Sequence, residues 1–144
     1  YPTETDAAIV QALRNRSEEK ACRELDHFFS SFAFANVDII NMAITQLTIS
    51  LSRTAHDMVG GHEGTRQLPN YRVLSVTLTS CDTLEQKKNT LTDYCLQVIR
   101  IRNSEVQTKR ENLVERIREF IETNYDNPML NTEDIAAFAE LSSN

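Results

Sequence analysis

Between residues 36 and 57 the apolar side chains Val37, Ile40, Ile44, Leu47, Leu51 and Ala55 recur at every third or fourth position. Such a series shares one face only on an α-helix, so it predicts a long helix from Asn36 to about Asp57 whose stripe packs against neighbours. The rest of the chain follows the same period. Three glycines and three prolines in 144 residues leave few places for turns and favour long helices. The pattern predicts an all-α protein, a helical bundle with a shorter terminal unit after it.

Upstream of the stripe, Thr3 to Arg16 reads as a first helix, with Ile9, Ala12 and Leu13 on one side and Thr3 or Thr5 available as N-cap. Asn15-Arg16-Ser17 interrupts it. Ser17 can cap a second helix whose first turn carries Glu18 and Glu19, where carboxylates face unpaired backbone donors. Ala21, Leu25, Phe28, Phe29 and Phe32 continue that helix at helical spacing and complete a hairpin signal. Beyond the stripe, Gly60-Gly61-His62-Glu63-Gly64 with Pro69-Asn70 marks a loop. It lacks the Lys-Ser/Thr pair and the preceding strand of a phosphate-binding loop.

Tyr71 to Cys81 is ambiguous, because Val73, Leu74, Val76 and Leu78 are interleaved with threonines and suit a strand as well as a short helix. An isolated strand would find no partner in a helical chain, which favours the helix. Asp82 or Thr83 can cap the next helix. On it, Leu84, Leu91, Cys95 and Val98 form a nearly heptad seam. That seam either buries within the bundle or is a candidate self-association surface that pairs two copies as a homodimer. Residues 1–102 thus read as a helical regulatory or dimerisation region. Residues 103–112 are polar and form either an exposed link or a continuous helix leading into 113–144.

Composition bounds the function. Forty per cent hydrophobic and 25% charged residues suit a globular chain, no stretch is long and apolar enough to span a membrane, and no signal peptide is visible. Cys22, Cys81 and Cys95 lack zinc or redox spacing and read as free thiols in a reducing compartment. His27, His56 and His62 share no metal-ligand spacing, so neither metal nor cofactor is expected. The neighbouring pairs Asp26-His27 and His56-Asp57 point apart on a helix, and no Ser/Cys-His-acid pattern exists, so no enzyme and no catalytic residue is expected. Phe28, Phe29, Phe32 and Phe34 with Met42 either build core or line a pocket. The pocket would make the chain a helical small-molecule-binding or protein-interaction module without DNA binding. A net charge of −6 counts against a free-standing nucleic-acid binder. Arg100, Arg102, Lys109, Arg110, Arg116 and Arg118 nevertheless concentrate basic groups before the terminal segment, as a solvated helix surface or as phosphate contacts.

In that segment Leu113, Ile117, Phe120 and Ile121 form one face of a helix through Tyr125. Asn124-Tyr125-Asp126-Asn127-Pro128 ends it, since the residue before proline resists helical geometry. Asn131 caps a helix over Thr132–Ala139, with Asp134 in its first turn and Leu130 placed for a staple-like contact. Ile135 and Ala136 face inward. Glu140-Leu141-Ser142 reads as the tight join before a further helix that Ser142 would cap. Helix, capped helix and tight turn are the opening of a helix-turn-helix, whose second helix enters the major groove. The expected fold is therefore an all-α helical bundle followed by an incomplete helix-turn-helix unit, with the DNA-reading helix absent.

The ordered set Val114-Glu115-Arg116-Ile117, Phe120-Ile121, Asn124-Tyr125, Pro128, Leu130-Asn131, Ile135-Ala136 and Leu141-Ser142 resembles the start of the DNA-binding domain in the AraC/XylS family of bacterial transcription regulators. The sequence departs from that pattern at Asn131, where the family usually has Ser, at Ala139, which is smaller than usual, and at Glu140, where a small residue is common. Upstream, Tyr1-Pro2, Glu4, the stretch from Ala12 to Ala21 and Cys81-Asp82-Thr83-Leu84 are similar to the helical segment before that domain in large sensor-type members, and to openings in response regulators. The resemblance implies a bacterial, signal-transducing transcription regulator that binds DNA as the full-length protein and takes an upstream sensor or receiver domain as partner. It implies a cytoplasmic region, with membrane anchoring of the full-length protein open for the sensor type. The sequence reads as a piece of such a protein.

Overall fold

The computed structural model describes residues 3–59, 67–126 and 131–143. The expected loop at Gly60–Gly64, the break at Asn127-Pro128 and the staple residue Leu130 lie outside them, as does the side chain of Ser142. Among the described residues there are six helices and no strand: α1 Thr3–Arg14, α2 Glu18–Ser30, α3 Val37–Met58, α4 Tyr71–Thr79, α5 Leu84–Asn124 and α6 Thr132–Ser143. The ambiguous Tyr71 stretch is a helix. The chain forms two compact units, Tyr1–Asn103 and Ser104–Asn144, and the division falls inside α5. Residues 103–112 are thus helical rather than an extended link.

Short polar side chains start most of these helices. Ser17 accepts from the Lys20 N–H at 3.3 Å, Asn36 from the Ile39 N–H at 2.9 Å and Asn70 from the Val73 N–H at 2.9 Å. Each satisfies a first-turn donor that the helix itself leaves unpaired. Thr83 is the cap of α5: its Oγ1 accepts from the Gln86 N–H at 3.1 Å, while Gln86 Oε1 accepts from the N–H groups of Thr83 and Asp82. This is a capping box. Thr5, one of two candidate caps for α1, instead lies within the helix and is buried.

The α1–α2 junction explains the Asn15-Arg16-Ser17 interruption. Ser17 N–H donates to the Ala12 carbonyl and Arg16 N–H to the Leu13 carbonyl, both at 3.0 Å. That pair is the Schellman closure, and it requires the intervening residue to be left-handed. Arg16 takes that role with φ 57°, in a position where Cβ is strained and glycine is not. Arg16→Gly is therefore expected to raise the stability of this unit by about 1 kcal/mol. Denaturant unfolding checks this, and a loss of stability would show that the Arg16 side chain contributes more than its backbone strain costs.

In the first unit α1 packs on α2 and α3, and α3 on α4. Ile9, Leu13, Leu25, Phe28, Leu47, Leu51, Leu91 and Ile99, drawn from α1, α2, α3 and α5, are completely buried in one core. α4 adds Leu74 and Leu78. Phe28, Phe29 and Phe32 meet edge to face, with centroids 4.9–6.0 Å apart. Such pairs add about 0.5–1.5 kcal/mol each beyond area burial. The aromatic group is thus core, while Phe34 and Met42 are exposed and take no part in it. Two ion pairs bridge α2 and α5, which run antiparallel: Glu18 with Arg100 at 3.4 Å and Asp26 with Lys88 at 3.2 Å.

One expectation is corrected in the second unit. The tight join at Glu140-Leu141-Ser142 is absent, because α6 continues through it to Ser143. No glycine or proline interrupts these positions, so nothing local opposes propagation, which gains a hydrogen bond for each residue fixed.

Candidate functional site

The terminal unit is built on a stripe. Leu113, Ile117, Phe120 and Asn124 are half-buried along the end of α5, and Ile135, Phe138 and Ala139 are half-buried on α6. The two helices meet through Phe120 and Phe138, whose rings stack with centroids 4.4 Å apart and planes 12° from parallel. Asn124 Nδ2 donates to the Phe120 carbonyl at 2.8 Å, which satisfies an acceptor near the end of α5. At the start of α6, Asp134 N–H donates to Asn131 Oδ1 at 2.9 Å and Asn131 N–H to Asp134 Oδ2 at 3.4 Å. This reciprocal box fixes where α6 begins, and both acidic residues in its first turn, Glu133 and Asp134, favour the positive helix end.

Of the scaffold residues expected from sequence, Phe120 makes the contact with α6, Leu113, Ile117 and Ile135 are half-buried, and Asn131 caps α6. Ile121, Ala136 and Leu141 are exposed. The half-buried positions of α6 run Ile135, Phe138, Ala139, which turns Ala136 away from α5. Phe138 is the contact that the sequence reading missed. Its signal was present three residues after Ile135, on the same helical face.

The seam on α5 divides in the same way. Leu91, Cys95 and Val98 are completely buried in the first unit's core, and Leu84 is exposed. Burial within the chain is the internal one of the two arrangements open to these residues. Of the basic cluster, Arg100 pairs with Glu18 and Arg118 with Glu115 at 3.6 Å, while Arg102 and Arg116 are also engaged by other groups. Lys109 and Arg110 are exposed.

Two of the three cysteines, Cys22 and Cys95, have raised thiols. Burial, followed by the Cys22 thiol, pushes Cys95 up to about 12. Cys22 is raised by burial and then by the Asp26 and Glu18 carboxylates on the same face of α2. Raised thiols hold little thiolate at neutral pH, the form that attacks electrophiles or binds metal. Beside them, the buried Tyr94 hydroxyl lies near Ser52 without completing a hydrogen bond, and burial raises its pKa. Among the described residues no group of three or more His, Cys, Asp or Glu is arranged to hold a metal ion. No described helix is long and apolar enough to cross a membrane.

A hollow in the first unit lies between α3, α4 and the start of α5. It measures about 280 Å³ and is lined by residues including Asn41, Thr45, Tyr71, Ser75 and Lys87. Comparison of the chain with family models, curated proteins and solved structures finds no match to any of them.

Proposed function

We propose that the chain is the signal-transmitting regulatory region of a bacterial AraC-type transcription regulator, joined to the first part of its helix-turn-helix domain. The observation that carries this reading is the terminal pair of helices. A capped α6 with its Asn131–Asp134 box docks on the end of α5 through Phe120 and Phe138, in the segment whose residues resemble that family. In a helix-turn-helix the first helix of the motif supports a second one, which reads bases in the major groove. In this reading α6 takes the supporting role. The continuous α5 supports the signalling role, since one element carries both core residues of the first unit and the Phe120 contact of the second. A change in the packing of the regulatory core is then passed to the DNA-binding end along a single helix.

The test uses a version of the protein extended past Asn144 through the DNA-binding domain. Phe138→Ala is expected to weaken its specific DNA binding at least tenfold while leaving the unfolding of the first unit unchanged. Specific binding that is insensitive to the loss of Phe138 contradicts the role given to α6. The alternative, a helical ligand- or protein-binding module without DNA binding, draws its support from the hollow beside α4.

A further inference from the structure

The hollow between α3, α4 and α5 has an unusual charge for this chain. Twenty-one acidic residues give the protein a net charge of −6, yet no carboxylate lines this space. Its one charged residue is Lys87, half-buried at the start of α5. The next residue, Lys88, is held by both Asp26 and Glu85. Lys87 has no carboxylate partner among the described residues, and its Nζ donates to the Leu78 carbonyl at 2.8 Å. An ammonium has three donors, so two remain for an occupant of the hollow.

The neutral groups sort by hydrogen-bonding role. Thr48 gives its hydroxyl proton to the Ile44 carbonyl at 2.7 Å and Thr79 gives its own to the Ser75 carbonyl at 2.8 Å. Thr48 is buried, so the exposed Thr79 oxygen is the one left as an acceptor for a ligand carrying donors. Asn41, Thr45, Tyr71 and Ser75 make no side-chain hydrogen bond to described residues, so they are available in either role. Ile44 and Leu78 supply an apolar base. At about 280 Å³ the space is just below the roughly 300–1,000 Å³ of drug-sized pockets, which limits the occupant to a small metabolite.

We propose that this hollow is a binding site for a small hydroxylated organic anion. The carboxylate or phosphoester of the ligand meets Lys87, and its hydroxyls donate to Thr79 while accepting from Ser75, Thr45 or the Asn41 amide. The site lies wholly within the first unit, so it stands whether or not the protein binds DNA. In the regulatory reading it is a place for an effector, because occupancy would tie α3 and α4 to the first turns of α5.

The test is a titration of the full 144-residue protein, followed by backbone amide NMR, with D-gluconate, glucose 6-phosphate and the uncharged sorbitol. At least one anion is expected to shift the amides around Asn41, Thr45, Ser75 and Lys87 saturably, with sorbitol at least tenfold weaker. Preference between the two anions identifies the head group. Lys87→Met is expected to weaken binding at least tenfold. Because that change also removes the bond to the Leu78 carbonyl, Ser75→Leu provides a second arm, filling the hollow while leaving Lys87 in place. Loss of binding in a folded Ser75→Leu protein supports the site. The proposal is overturned if neither anion shifts these amides saturably, if sorbitol binds equally well, or if folded Ser75→Leu binds as the parent does.

Discussion

Leu91→Ala is expected to destabilise the first unit by about 2–5 kcal/mol, the range for removing a large aliphatic side chain from a packed core. Leu91 is completely buried, among residues drawn from α1, α2 and α3. A cavity there cannot relax by exposure to water, so lost transfer energy and lost packing add. For a domain of this size such a loss lowers the melting temperature by on the order of 10 °C or more. Leu84→Ala, at the exposed end of the same seam, is expected to change stability by less than about 1 kcal/mol. Chemical unfolding of both variants, with their mass in solution measured alongside, separates the two uses of this helix face. If Leu91→Ala left stability intact but dissociated a dimer, the seam would be an interface between copies rather than core.

Alkali is expected to destabilise the same core through Cys95. Its folded thiol is raised to about 12 from the ordinary 9.0, so the folded state keeps a proton that the unfolded chain releases. A group raised in this way contributes stability that is fully present below its unfolded value and is lost as pH climbs towards the folded one. The window is therefore pH 9 to 12, with a slope of about 1.4 kcal/mol per pH unit for one proton. Between pH 8 and 11 the loss from this thiol is about 3 kcal/mol. Cys95→Ala is expected to be less stable at neutral pH, because it leaves a small cavity, but to lose this slope. Tyr94 is raised as well and adds its own dependence above its ordinary 10.0, so part of the alkaline sensitivity remains in the variant. Urea unfolding at pH 8, 10 and 11 checks the difference. An identical slope in the parent and in Cys95→Ala would mean that the thiol is not held protonated by the fold.

What could be read from the sequence was what depends on neighbours along the chain. The period of Ile44, Leu47 and Leu51 located α3 because a helix face is a local property, and Ser17 marked the start of α2 because a cap bonds three residues ahead; Asn70, read only as part of a loop, caps α4 in the same way. The Asn131–Asp134 box is local in the same sense. Tyr71–Thr79 was harder, since its β-branched residues favour a strand, and only the lack of a pairing strand argued for helix. What escaped depends on residues distant in sequence. The bond from Lys87 to the Leu78 carbonyl joins two helices across a turn, and the hollow beside it needs α3 as a third wall. The Phe120–Phe138 stack likewise spans eighteen residues: Phe138 shares the face of Ile135, but no period within one helix names its partner on the other. Glu140-Leu141-Ser142 was expected to turn on the strength of a motif, whereas its own residues are compatible with continuing the helix.

The proposed function makes the second unit the start of a DNA-reading domain and the first its regulator. The most direct measurement is fluorescence anisotropy with DNA selected from a random pool, comparing the 144-residue chain with a version extended past Asn144 through the DNA-binding domain, at low and near-physiological salt. The account predicts sequence-specific binding by the extended protein alone, weakening as salt releases its phosphate contacts. The shorter chain, at net charge −6, is expected to bind no sequence selectively. If no DNA sequence is enriched or bound selectively by the extended protein even at low salt, the regulator reading is contradicted.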